Sequence, residues 1–412
     1  MIEAVSIIFT LAVIFGVINY KFIKLPFSIG VFLMGILFAL IIWASTSVFP
    51  EFHSFFAKLI NDVDFKSVLL DGLLGFLLFA GAMHVNLKEL DCSKWAVLLF
   101  STVGVLITAA ISGLAVFGIA ILLGVDLPFI YALLFGALIA PTDPVAVLSI
   151  LGNSSLSESI KVKFEGESLF NDGVGVILFS GIFLVIHSMT SNTAEIASEI
   201  GFLLLEEIGG GISFGLTLGF IGYKVMLWVK ENEQLATMVS LAVVVGGYVI
   251  SLLLHISGPL AMVVAGLLIG QKIHLDDACD PIQKSVADFW KHIDNVLNAI
   301  VFFSIGLLLH LIDFEMNAII LGLSAIVVVL IARFISIYIP FSLLEDKSEK
   351  RNKAIKILTW GGLRGGVSIA LAIGISDMDY GKTILLITFC VVCFSIVVQG
   401  LTVGKVYKKL FK

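Results

Sequence analysis

The chain has 412 residues, of which 59% are hydrophobic and only 14% charged, with a mean hydropathy of +1.10 and a formal net charge of −6. No soluble globular domain needs that much apolar surface, and apolar runs long enough to span a bilayer recur along the whole length. The composition therefore defines an all-α polytopic membrane protein embedded in a lipid bilayer, and it does not divide into soluble domains of ordinary size.

About 13 apolar segments follow one another, approximately 2–20, 26–49, 67–86, 95–122, 128–150, 159–188, 198–229, 235–255, 258–271, 292–312, 316–343, 353–376 and 380–404. The first lacks a basic n-region and a small-residue cleavage site, so it reads as a span and not as a removed signal peptide. Taking the connections alternately, 20 of the 25 Lys and Arg residues fall on one side of the membrane, three on the other and two, Arg333 and Arg364, within spans. This bias places the N-terminus outside and the C-terminus in the cytoplasm, and it requires an odd number of spans. No P-loop and no G-x-G-x-x-G occurs, so neither a nucleotide nor a nucleic acid is expected as partner, and no cofactor is implied.

Several spans carry polar groups at a depth where each is costly and marks a pathway by default. The fifth contains Pro141-Thr142-Asp143-Pro144. Each proline removes a backbone donor and clashes with the carbonyl one turn earlier, so free carbonyls surround a hydroxyl and a carboxylate. All three are hard oxygen ligands suited to a small cation. The sixth span opens with G-E-S-L-F-N-D-G, in which Glu167 shares a helix face with Asn171, and Ser168 shares another with Asp172. Counted from opposite ends of their spans, Asp143 and Asp172 both lie roughly 20 Å deep. Gly166, Gly173 and Gly175 permit a neighbouring backbone to come close.

The seventh segment is long, with Glu206 and Glu207 beside three glycines, and reads as a connector with a flexible joint; the ninth is short. Arg333, in the eleventh, lies at a depth similar to that of Glu167, which permits an ion pair; depth alone leaves Arg364 open as the partner. The twelfth holds G-G-L-R-G-G, a weakened helix around Arg364. The fifth and twelfth segments would be equivalent in two inverted six-span repeats, an arrangement that places interrupted helices at a transport site. Cys390 and Cys393, in the last span, read as small packing residues. Asp71, His84 and Asp294 remain without assignment, and the other histidines lie near segment ends without metal-ligand spacing.

The combination A-P-T-D-P, G-E-S-L-F-N-D-G and G-G-L-R-G-G, in this order, resembles the monovalent cation–proton antiporters, and more narrowly the NhaP-type Na+/H+ exchangers related to those of animals. The resemblance implies a homodimer with an NhaA-like antiporter fold, in which two unwound helices cross. Residues 1–90 and 198–312 would form mainly the dimerisation scaffold, and 95–190 and 316–404 mainly a mobile core. It implies Na+ binding by Asp172, Asp143, Thr142 and Ser168, with Asn171 as neighbour, a structural pair of Glu167 with Arg333, and a core-stabilising Arg364. In the family a second carboxylate in place of Asn171 goes with electrogenic transport, so Asn171 implies electroneutral exchange of Na+, or Li+, for one H+. The sequence departs from relatives at Ala80, where an acidic residue is frequent. Without a regulatory tail after the last span, a prokaryotic plasma-membrane protein is expected. Rival readings are a K+/H+ antiporter of the same fold and a cation channel, although a filter needs symmetric carbonyl rings that a lone motif does not supply. An intramembrane hydrolase using Ser168 or Asp172 is disfavoured because no histidine lies mid-span as its base.

Overall fold

The computed structural model describes residues 2–46, 49–61, 68, 72–85, 87–151, 158–188, 193–275, 280–312, 314–344 and 351–411. Among these residues the protein is helical throughout, and its one β-contact is an isolated antiparallel bridge between Asp143 and Leu363. The helices in chain order are α1 (Ile2–Ile18), α2 (Phe27–Ala44), α3 (Pro50–Asn61), α4 (Leu74–Met83), α5 (Leu87–Ser101) and α6 (Val103–Leu123). Then come α7 (Phe129–Ile139), α8 (Val145–Leu151), α9 (Glu158–Ser188), α10 (Thr193–Trp228), α11 (Glu233–Leu253) and α12 (Gly258–Leu275). The remainder are α13 (Asp280–Leu307), α14 (Met316–Leu343), α15 (Arg351–Trp360), α16 (Gly366–Gly374), α17 (Gly381–Phe394) and α18 (Gly400–Phe411). Nine helical stretches among the described residues are long and apolar enough to cross a membrane, and Leu74–Met83, Phe129–Ile139 and Gly258–Ile273 are shorter apolar helices.

Each apolar segment read from the sequence contains helix, with two differences in detail. Of the third, the longest described helix is α4, and residues 67, 69–71 and 86 lie outside the described residues. The fourth is longer, because α5 starts at Leu87, and an interruption at Thr102 separates it from α6; there the Thr102 hydroxyl donates back to the Leu98 carbonyl at 2.5 Å. A helix that the hydropathy reading missed, α3, follows the second span. It is too short and polar to register as a span, and it docks through Phe56 against Phe38, with ring centroids 5.1 Å apart.

Helix ends follow local chemistry. Pro26 and Pro128 stand immediately before α2 and α7, where a missing N–H costs nothing. Gly124, at φ +66, ends α6 in the left-handed conformation that glycine adopts most easily. A π-helical turn, Ser395–Gln399, joins α17 to α18.

Two packing groups emerge. In one, α12 lies between α10 and α4, α11 leans on α10, α12 and α13, and α13 packs on α1, α2 and α4. In the other, α6 packs on α7 and α14, α5 on α9, α17 on α14 and α16, and α18 on α8 and α15. Contacts across the divide are sparse and run chiefly through α9, and through α13 against α16. A large apolar cluster includes the end of α7 (Leu134 to Ile139), Ile305 and Leu308, Ile369 to Ala372, and Ile384 to Ile387. Cys390 and Cys393 pack against this cluster as free thiols.

Candidate functional site

Two interrupted helices meet at the bridge. The α7–α8 interruption spans residues 140–144, and the α15–α16 interruption spans 361–365. The Asp143 N–H donates to the Leu363 carbonyl at 2.8 Å, so the chains cross as a single rung of antiparallel sheet. Asp143 also caps α8, its Oδ1 accepting from the Val145 N–H at 2.8 Å, which sets an anion at a helix N-terminus. Gly365 lies against the Asp143 carboxylate so closely that a Cβ there would overlap it.

Three carbonyls of the break are engaged by the protein. Those of Ala140 and Pro141 both accept from Arg364 Nη1, the latter at 2.8 Å, and that of Thr142 accepts from Ser168 Oγ at 2.6 Å. A carbonyl that accepts one hydrogen bond keeps a second lone pair, so these contacts order the break without deciding whether its carbonyls also face an ion. A guanidinium takes the negative end of α7, because a cation is the favourable group at a helix C-terminus. Arg364 itself is only 2% exposed, and its Nη2 has no partner among the described residues. The second interruption is satisfied from the π-turn. Ser395 Oγ accepts from the Arg364 N–H at 2.9 Å and donates to Gln399 Oε1 at 2.8 Å, while Gln399 Nε2 donates to the Trp360 carbonyl at 2.9 Å. Such turns widen the helical ladder and let side chains reach a neighbour's backbone.

Helix α9 runs alongside the crossing, and its two faces part as the spacing requires. Glu167 and Asn171, each 1% exposed, turn into the protein, whereas Ser168 and Asp172 line a cavity. Glu167 forms a two-pronged ion pair with Arg333: Nη1 meets Oε1, and Nη2 meets Oε2 at 2.9 Å while also reaching the Leu358 carbonyl at 3.2 Å. Arg364 does not contact Glu167; it serves the crossing instead. Asn171 Nδ2 donates to Thr142 Oγ1 at 2.8 Å, and Asn171 Oδ1 is buried without a partner among the described residues. Gly175 admits the Pro141 ring where a Cβ would collide with it; Gly173 meets only Leu260, at an ordinary 3.9 Å.

The cavity has a volume of about 350 Å³ and lies between the two packing groups. Thr142, Asp143, Ser168 and Asp172 meet in its wall, so four of the five sequence-derived ion-site residues share one space, with Asn171 immediately behind Thr142. Asp172 is half-buried and makes no hydrogen bond to another described residue, and the charge of Asp143 acts on it. Ser168 Oγ donates a hydrogen bond to the Thr142 carbonyl yet keeps oxygen lone pairs for a cation. The large apolar cluster packs around the end of α7, and the cavity is lined also by His84, Leu148, Glu165 and Asp294.

Sequence reasoning had left Asp294 and His84 unassigned, yet both line this cavity. The available signal was Asp294 and Asn298 one turn apart in the polar first half of α13. Glu206 is exposed and Glu207 half-buried, away from the crossing, and Asp71 lies outside the described residues.

Paired interrupted helices crossing at buried carboxylates, with a cavity between two helix groups, define a secondary transporter of the broken-helix type. Residues 8–409 match the family of transmembrane sodium/hydrogen exchangers, and the chain belongs to that family. It is 38% identical over 418 residues to the Na+/H+ antiporter NhaP of Pseudomonas aeruginosa, covering 100% of this chain and 97% of the relative. It is 31% identical to the Na+/H+ antiporter NhaH of Halobacillus dabanensis, covering 98% and 97%. The fold is similar to that of the sodium proton antiporter MjNhaP1 from Methanocaldococcus jannaschii, solved at pH 8, with a TM-score of 0.73 at 21% identity over 100% of this chain and 99% of that one.

Proposed function

We propose that the protein exchanges one Na+ (or Li+) for one H+ across the plasma membrane of a prokaryotic cell, with Asp172 as the group that holds either ion. The observation carrying this reading is an unpartnered carboxylate on α9 facing a cavity beside Asp143, at the crossing of two interrupted helices. A carboxylate in a poorly solvated site favours its neutral, protonated form, and a cation beside it favours the ionised form. One group with these properties binds a proton and a sodium ion in turn, never together. Asp143, Thr142 and Ser168 complete an oxygen cage for Na+, with Asn171 holding Thr142 in place. Asn171 adds no charge of its own, which fits one positive charge in each direction.

The alternating-access motion follows the packing division. Residues 95–190 and 316–404 form the moving core, and 1–90 with 198–312 form the scaffold of a homodimer. An unloaded, charged core is costly to carry past apolar surroundings, so only a loaded one crosses. The Glu167–Arg333 pair and Arg364 hold the core together and do not exchange ions. With the lysine-rich connections in the cytoplasm, the cavity opens inward and the apolar cluster is the outer seal.

Proteoliposomes with a pH dye inside test this reading. Na+ and Li+ pulses should collapse an imposed pH gradient far better than K+, equally with and without a valinomycin-set potential. Strong voltage dependence, or K+ as effective as Na+, overturns the one-for-one sodium reading.

A further inference from the structure

The far wall of the cavity is α13, a member of the other packing group from α9. There Asp294 and Asn298 both face the cavity. Asn298, 6% exposed, uses Nδ2 twice: it donates to the Asp294 carbonyl at 2.9 Å and to Asp294 Oδ1 at 3.0 Å. The carboxylate is thereby fixed in orientation, and its other oxygen has no partner among the described residues. Asp294 is half-buried and shares the cavity wall with Asp143. Besides Asp143 and Asp172, two other titratable groups face the same space: Glu165, which approaches Lys161 at 4.0 Å, and His84, just after α4. No Lys or Arg is among the lining residues.

We propose that Asp294, oriented by Asn298, is a second cation-binding carboxylate that captures Na+ on the stationary wall and passes it to Asp172. This rests on the Na+/H+ exchange reading and adds a residue that reading does not need. A cleft with low-dielectric walls lined by one sign of charge focuses the field and raises the local concentration of counter-ions. Asp172, carried on α9, alone supplies the coupling. Asp294 stands on a wall supplied by the other packing group, and in the proposed motion α13 does not travel with α9. It therefore serves only the state in which the cavity is open, and its effect is confined to one side of the membrane. The half-amide cap suits transient binding: one oxygen is held by Asn298 and one remains for the ion, too few ligands to retain it.

The test compares Asp294→Asn and Asp294→Glu in oriented vesicles, with Na+ varied on either side at constant ionic strength set by choline. Asp294→Asn should raise the apparent KM for Na+ about fivefold to tenfold on the side where the cavity opens, with kcat and the KM on the opposite side unchanged. Asp294→Glu should restore most of the affinity. Asn298→Ala, which frees the carboxylate to rotate, should raise the same KM about twofold. Asp294→Asn with both KM values unchanged, or with both raised equally, overturns the capture role. A fall in kcat at constant KM overturns it too, because Asp294 would then act in the crossing step. Wild-type vesicles supply the separate control: if they show no Na+-driven proton flux, the exchange reading itself fails, whatever Asp294 does. Thermal unfolding of each variant in detergent should match wild type closely, so that the change in KM reports ion capture and not a loss of fold.

Discussion

Helix α9 carries two carboxylates five positions apart that live opposite lives. Glu167 is sealed in the protein and gripped at both oxygens by Arg333, whose Nη2 also reaches a backbone carbonyl. Asp172 stands in the cavity wall with no hydrogen-bonding partner among the described residues. The same residue chemistry thus gives a rivet at one position and a working group at the other, and what separates them is which helix face each occupies. A buried charge with a full set of partners resists change; one left without a partner beside a cavity is available to a proton or a cation.

The comparison breaks most plainly at Asp172. Asp172→Asn should abolish Na+/H+ exchange while leaving the detergent-solubilised protein folded, because an amide neither titrates nor neutralises Na+. Pulse-driven Na+ uptake near the wild-type rate by that variant contradicts the assignment. At Glu167 the opposite pattern is expected. Glu167→Gln or Arg333→Met should each cost about 3–5 kcal/mol by stranding a buried charge, and the double variant should cost less than either. Thermal or denaturant unfolding measures this, and simple additivity contradicts the ion-pair reading. The smallest effect belongs to the π-turn: Ser395→Ala removes the acceptor for the Arg364 N–H and should cost about 1–2 kcal/mol. It should slow transport without altering its ion dependence. A changed Na+ affinity in that variant instead makes Ser395 part of the ion site.

Much of this was legible in the sequence because it depends on local chemistry. Prolines at 141 and 144 and glycines around Arg364 dictate where helices fail, and equal depth brought Asp143 level with Asp172. The i, i+4 spacing separated the two faces of α9 before any packing was known. Contacts over long sequence distances were not legible. Depth left both arginines open to Glu167, and nothing local says that Arg364 turns to carbonyls more than 200 residues earlier. Asp294 and His84 looked like ordinary polar residues near helix ends, because their meaning depends on which helices wall the cavity. Hydropathy also passed over α3, a short amphipathic helix whose stability comes from tertiary contacts such as Phe56 on Phe38.

The most direct test is competition at one carboxylate. The apparent KM for Na+ is measured in proteoliposomes over a series of pH values on the acidic side of the titration. If Asp172 holds either ion, each tenfold rise in proton concentration should raise that KM about tenfold, while the maximal rate at saturating Na+ stays constant. A KM that is independent of pH, with the maximal rate falling instead, shows that Na+ and H+ occupy separate groups and contradicts the shared site.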